Sequence, residues 1–224
     1  MHGVTLVFDL DGTLIDTAPD LIGAANHVLA HRGLSPVAAA KLRPQISFGA
    51  RKIIMRGLAE HGLTLPDKEI DGLLANFLTF YAQNIANESR PFPGLIDTLQ
   101  HHKAAGATLA VCTNKAEYLS RALLTQLGML DLFSAVAGRD TFTVCKPHPD
   151  HLTGTIKLAG GDARRAIMVG DSDTDISTAR AAGIPCIAVD FGYTDVPVRE
   201  LGPTTVISHY REFPAAVTAI LGRN

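Results

Sequence analysis

Little in this 224-residue sequence is present in excess. The formal net charge is only −2, from 20 basic and 22 acidic side chains, which does not suit a nucleic-acid partner, since such binders carry a basic face or stripe. Cysteine is scarce: Cys112, Cys145 and Cys186 form an odd set at no metal-ligand spacing. That pattern favours reduced thiols, and a cytoplasmic setting, over disulfides. No apolar run approaches the ~18 residues of a membrane span, and no basic leader precedes the first apolar run, so no membrane partner is expected. Internal repeats and low-complexity tracts are also missing. What remains is 46% hydrophobic with a mean hydropathy of +0.16. That composition belongs to an ordinary globular chain, long enough for one large domain or a domain with an insertion.

The organisation changes along the chain. Beyond about residue 91, strand-like and helix-like stretches alternate. Thr108 to Cys112, Ala135 to Ala137, Ala166 to Val169 and Pro185 to Val189 read as strands. Lys115 to Leu127, Asp150 to Ala159, Thr174 to Ala182 and Ala215 to Leu221 read as helices, several closed by a glycine such as Gly128 or Gly183. Such interleaving predicts an α/β fold, a doubly wound (Rossmann-like) parallel sheet covered on both faces. The stretch from Asp16 to Arg90 differs. Thr17 to His31, Pro36 to Arg43, Ala50 to His61 and Asp67 to Asn87 are all helix-like, and Pro91-Phe92-Pro93-Gly94 then marks the return to alternation. The predicted arrangement is a core of residues 1–15 and 91–224 carrying an inserted all-helical domain of residues 16–90.

In a doubly wound sheet, ligands bind beyond the carboxyl ends of the strands. The apolar run Val4-Thr5-Leu6-Val7-Phe8 leads directly into Asp9-Leu10-Asp11-Gly12-Thr13. Gly12 tolerates a turn that other residues avoid. Carboxylates as close as Asp9 and Asp11 repel unless a cation or a shared proton relieves them. After the second run come Thr113 and Asn114, and after Ala166–Val169 come Asp171, Ser172, Asp173, Thr174 and Asp175. Lys146 lies between, in Cys145-Lys146-Pro147-His148-Pro149. This inventory suits phosphoryl transfer. A carboxylate can attack phosphorus, and a second carboxyl can protonate the leaving alkoxide. A hard divalent cation on oxygen ligands balances the charge, while a lysine and a hydroxyl hold the phosphoryl oxygens.

The ordered set Asp-x-Asp-Gly-Thr, Thr, Lys and Gly-Asp-x-x-x-Asp resembles the motifs of the haloacid-dehalogenase-like (HAD) superfamily of phosphohydrolases. The resemblance implies Asp9 as nucleophile and Asp11 as general acid/base. It implies Thr113 and Lys146, with Asn114 beside them, as phosphate-binding residues. It further implies Mg²⁺ as cofactor, held by Asp9, Asp171 and the backbone carbonyl of Asp11, with Asp175 as a supporting acid behind them. The helical insertion takes the place of the superfamily's cap domain. Asp11 itself points to the phosphatase and phosphomutase branches, because an alkoxide leaving group requires an acid. The longer stretches Asp9 to Asp20 and Val189 to Thr194 are similar to phosphoglycolate phosphatases. The implied activity is Mg²⁺-dependent hydrolysis of a small phosphate monoester through an aspartyl-phosphate, with 2-phosphoglycolate giving glycolate and phosphate. Alternatives are another sugar or amino-sugar phosphate, a phosphomutase, or a non-catalytic phosphate-binding module. The chain is expected as a monomer or homodimer.

Plainer roles compete for several positions. Asp171-Ser-Asp-Thr-Asp175 imitates the start of a calcium-binding loop, but Ile176 and Ala182 stand where that loop needs glycine and glutamate. A helix cap at Ser172, Asp173 or Thr174 is compatible with Asp171 facing the site. No histidine is assigned to metal, His101-His102 reads as a solvated helix end, and the role of His148 is open. Specificity is expected in the insertion, where Arg51 or Lys52 after Ser47-Phe48-Gly49-Ala50 could meet a substrate carboxylate. The same pattern suits an ordinary surface arginine.

Overall fold

The computed structural model describes residues 1–194 and 196–222. The chain divides into two compact units, Met1–Asp16 with Pro91–Asn224, and Thr17–Arg90. The first is built on strands β1 (Thr5–Phe8), β2 (Thr108–Cys112), β3 (Ala135–Ala137), β4 (Ala166–Gly170), β5 (Cys186–Val189) and β6 (Thr205–Ile207). These form one six-stranded sheet in the order β3-β2-β1-β4-β5-β6. Every neighbouring pair is parallel, with Phe8 opposite both Val111 and Val169. Near-continuous apolar runs such as TLVF and AIMVG are buried along their whole length, as required where helices cover both faces. The chain leaves β1 toward β2 and β3, then restarts at β4 on the other side of β1. That reversal opens a crevice at the carboxyl ends of β1 and β4.

Helices α5 (Leu95–Ala104), α6 (Glu117–Gln126), α7 (Pro149–Leu158), α8 (Asp173–Ala181) and α9 (Phe213–Leu221) complete this unit. On one face Val7, Ala110, Met168 and Ala188 pack with Leu152 and Ile156 of α7 and with Ile176 and Ala179 of α8. Elsewhere Phe8 stacks on Phe213 of α9 at 5.7 Å. Each large side chain so buried contributes about 1.5–3 kcal/mol. Two expectations need correction. His102 is not a solvated helix end: it is 2% exposed, donates from Nδ1 to the Thr98 carbonyl and meets Phe213 edge-on. Strand β6 adds to the predicted strands: only Ile207 of its three residues is buried, so it lacks the apolar run by which the equally short β3 is read.

The second unit contains α1 (Ala18–Ala30), α2 (Ala39–Leu42), α3 (Ala50–Ala59) and α4 (Asp67–Gln83). Helix α2 is shorter than the Pro36 to Arg43 stretch predicted, and a 3₁₀ segment, Arg43–Phe48, follows it. Pro44, which has no N–H to donate, lies at the start of that segment. Leu21, Ala25, Val28 and Leu29 of α1 are buried, as are Ile70, Leu73, Phe77 and Tyr81 of α4. Gly57 lets α3 approach closely, since a Cβ there would lie 2.8 Å from Leu29 Cδ1. Asp20 binds the other end of the unit, accepting from the backbone N–H of Glu88 and Ser89 and from Ser89 Oγ.

Candidate active site

Asp9 is the first residue beyond β1, and its N–H donates to Val169 at 2.9 Å. The chain then turns: Leu14 and Ile15 donate to the Leu10 carbonyl, and Gly12 takes φ +83°. A side chain at Gly12 is excluded twice, because its Cβ would lie 2.4 Å from Asp171 Oδ2 and 2.9 Å from Tyr193 Cδ2. The turn also aims Thr13, whose Oγ1 donates to Asp171 Oδ1 at 3.0 Å. Asp171, one residue past β4, receives a second bond from the Tyr193 N–H to Oδ2 at 2.8 Å. Gly192 makes that approach possible, since a Cβ there would be 2.2 Å from Asp171 Oδ2.

Ser172 caps α8, and Asp175 closes a capping box with it. Of the three capping candidates, the structure selects Ser172. Asp175 has a further role. Its Oδ2 accepts from Asp171 N–H, Ser172 N–H and Ser172 Oγ, while its Oδ1 accepts from Lys146 Nζ at 2.6 Å. Lys146 Nζ lies 2.8 Å from Asp9 Oδ1 as well. Burial works against the lysine's charge, but the carboxylates of Asp175 and Asp9 outweigh it and raise its pKa. Burial is also the main reason the Asp9 carboxyl is pushed up to about 6; Lys146 opposes the rise, while Asp175 and Asp11 add to it. Asp171 is raised well above the usual carboxylate range by burial, then by Asp175 and Asp9. These acids lack enough positive charge among their own neighbours.

Thr113 is buried just past β2, where its N–H donates to Ala137 and its Oγ1 accepts from Lys115 N–H. Asn114 donates from Nδ2 to the Lys146 carbonyl at 2.9 Å, so its amide supports the lysine's loop. The site also contains residues that sequence reasoning passed over. Lys115 Nζ pairs with both oxygens of Asp11, at 2.9 and 3.0 Å. His151 accepts from Lys146 N–H at Nδ1 and donates from Nε2 to the Gly138 carbonyl. Burial, followed by Lys146, lowers the His151 pKa to about 4. Tyr193 donates from its hydroxyl to Asp16 at 2.7 Å. Thr13 closes the first motif and Lys115 follows Asn114 directly, whereas no periodicity singled out Tyr193 or His151. His148, open in the sequence, caps α7 by accepting from Asp150 N–H.

Asp9, Asp171 and Asp175 each offer an oxygen within 4.8 Å of the others, a group able to hold a metal ion. Asp175 is already engaged by Lys146 and the capping box, which leaves Asp9 and Asp171 as the carboxylates best placed to meet a cation. Arg51 lies in the helical unit, where it pairs with Asp67 at 2.6 Å and with Asp71. None of the described helices is long and apolar enough to cross a membrane.

Residues 6–189 match the family model described as haloacid dehalogenase-like hydrolase. A phosphoglycolate phosphatase of Mesorhizobium japonicum is 55% identical over 205 residues, covering 92% of this chain and 90% of the relative. One from Agrobacterium fabrum is 49% identical over 215 residues, covering 96% and 91%. Among solved structures, a predicted phosphoglycolate phosphatase from Haemophilus somnus superposes with a TM-score of 0.88 at 28% identity, covering 96% of this chain and 97% of its own. An acid cluster at the switch point of a parallel sheet, with these relatives over nearly its full length, identifies the chain as a member of the haloacid dehalogenase-like hydrolase family, standing among its phosphatases.

Proposed function

We propose that this chain is a Mg²⁺-dependent phosphomonoesterase that acts through an aspartyl-phosphate on Asp9, with 2-phosphoglycolate as its substrate. The observation that carries the reading is the crowding of Asp9 and Asp171, both buried and both raised in pKa, beside the ammonium of Lys146. Hard oxygen donors short of positive charge fit Mg²⁺. Asp9, Asp171 and the backbone carbonyl of Asp11 would hold it, and it would offset phosphoryl charge when bound. The substrate assignment follows the phosphoglycolate phosphatases to which the chain is similar.

In the proposed reaction an Asp9 oxygen attacks phosphorus as the P–O ester bond breaks, and Asp11 gives its proton to the departing alkoxide. Water then attacks the acyl-phosphate, Asp11 takes back a proton, and phosphate leaves with Asp9 restored. Lys146 and Thr113 are assigned the phosphoryl oxygens, and Asn114 holds the Lys146 loop that serves them. Asp175 keeps Lys146 in place and charged. The helical unit is assigned the role of a cap that excludes water during transfer. For Arg51 to meet a substrate carboxylate it must exchange Asp67 and Asp71 for it. Three free cysteines accord with work in the reducing cytoplasm.

The test is phosphate release from a panel of small esters, with Mg²⁺ and with chelator. The reading expects 2-phosphoglycolate to give the highest kcat/KM, chelation to stop turnover, and Asp9→Asn to eliminate both turnover and the trapped phosphoenzyme. A different ester in first place overturns the substrate assignment; an active Asp9→Asn variant overturns the mechanism.

A further inference from the structure

Two lysine–aspartate pairs meet in this site, and only one belongs to the phosphoryl end. Lys146 bridges Asp9 and Asp175, beside the attacking carboxylate. Lys115 instead holds both oxygens of Asp11, and its side chain is only 5% exposed. A lysine this far out of water is placed by construction. Its N–H donates to Thr113 Oγ1 at 3.2 Å and its carbonyl accepts from Arg139 N–H at 3.0 Å. The loop is pressed against Gly138, where a Cβ would come 2.2 Å from the Glu117 backbone nitrogen and 2.7 Å from the Lys115 carbonyl. The backbone that presents Lys115 is therefore built from two strand ends, those of β2 and β3.

An acid that protonates a leaving oxygen must come within hydrogen-bond reach of it. Lys115 lies one hydrogen bond beyond that acid, so its ammonium falls within about two such contacts, roughly 6 Å, of the bridging oxygen of a bound ester. The leaving alcohol occupies that space. We propose that Lys115 selects the leaving group: its ammonium exchanges an Asp11 oxygen for an anionic group carried two or three bonds from the bridging oxygen. The exchange leaves Asp11 facing that oxygen. The substrate class is the phosphate monoesters of short hydroxy acids, and neutral alcohols of the same shape are disfavoured. This rests on the phosphomonoesterase reading, with Asp11 as its acid.

The experiment compares 2-phosphoglycolate with ethyl phosphate, in which a methyl replaces the carboxylate, using the full chain with Mg²⁺. The unsubstituted protein is expected to prefer 2-phosphoglycolate. Lys115→Met should lower kcat/KM for 2-phosphoglycolate by about 30-fold, the value of one charge-assisted contact, chiefly through KM. The loss on ethyl phosphate should be several-fold smaller, so the preference collapses. Lys115→Arg should restore much of the KM, and Lys115→Gln repeats the measurement should the methionine variant fold poorly. Equal losses on both esters would show that Lys115 serves Asp11 alone and would overturn the proposal, as would an unchanged preference. Hydrolysis of neither ester by the unsubstituted protein would instead overturn the phosphomonoesterase reading beneath it.

Discussion

Lys146 Nζ and Asp175 Oδ1 are 2.6 Å apart, and both side chains are withdrawn from water. Removing one partner of such a pair strands the other charge. Asp175→Asn is therefore expected to lower unfolding free energy by about 3–5 kcal/mol. Urea denaturation checks this; a loss under about 1 kcal/mol would mean that Lys146 finds Asp9 sufficient.

Asp171 permits a prediction of opposite signs. Its carboxylate is disfavoured by burial and by Asp175 and Asp9, so Asp171→Asn should stabilise the metal-free protein to the extent that the relieved charge exceeds the one bond lost from Thr13 or Tyr193. The same variant should lose the rise in Tm that saturating Mg²⁺ confers by binding only the folded state. Thermal scans with and without Mg²⁺ test both halves, and a Mg²⁺ shift retained in the variant would remove Asp171 from the metal site.

His151 predicts a pH effect whose sign follows from its neutral state. Its pKa falls from 6.5 to about 4 on folding, through burial and the adjacent Lys146. Between those values the unfolded chain binds the extra proton, so this contribution is intact above about pH 6.5 and lost progressively toward pH 4. The loss should approach about 3 kcal/mol by pH 4. His151→Gln should lack that component of the stability profile; parallel profiles for the two proteins would count against it.

Gly138→Ala should be costly because its Cβ would strike backbone at Glu117 and Lys115, which no rotamer change relieves. A loss of at least about 2 kcal/mol is expected. Gly23→Ala has open space around the added carbon and lies inside α1, so it should stabilise by about 0.5–1 kcal/mol. The two Tm shifts, measured side by side, separate steric conflict from helix propensity.

Much of the sheet and the acid cluster was legible because the relevant signals are local. Apolar runs ending in Asp9, Thr113 and Gly170-Asp171 mark strand ends without any tertiary knowledge. Lys115, by contrast, looks like any charge at a helix entrance; only the pairing of β1 beside β2 brings it to Asp11. Tyr193 is legible for the same reason only in space, since its N–H meets an acid 22 residues away in sequence. His102 misled because hydrophobic pattern treats histidine as polar, while a bond to the Thr98 carbonyl and the Phe213 ring make it a core residue.

Asp20 accepts from Glu88 and Ser89, joining the first turn of α1 to the last residues of the helical unit. A segment clasped at its own base presents a fixed width at the point of attachment, whatever is threaded between. Lengthening, trimming or swapping the helices inside the clasp would leave that width alone. Such a fastening ties the integrity of the helical unit to contacts within its own sequence, between residue 20 and residues 88 and 89.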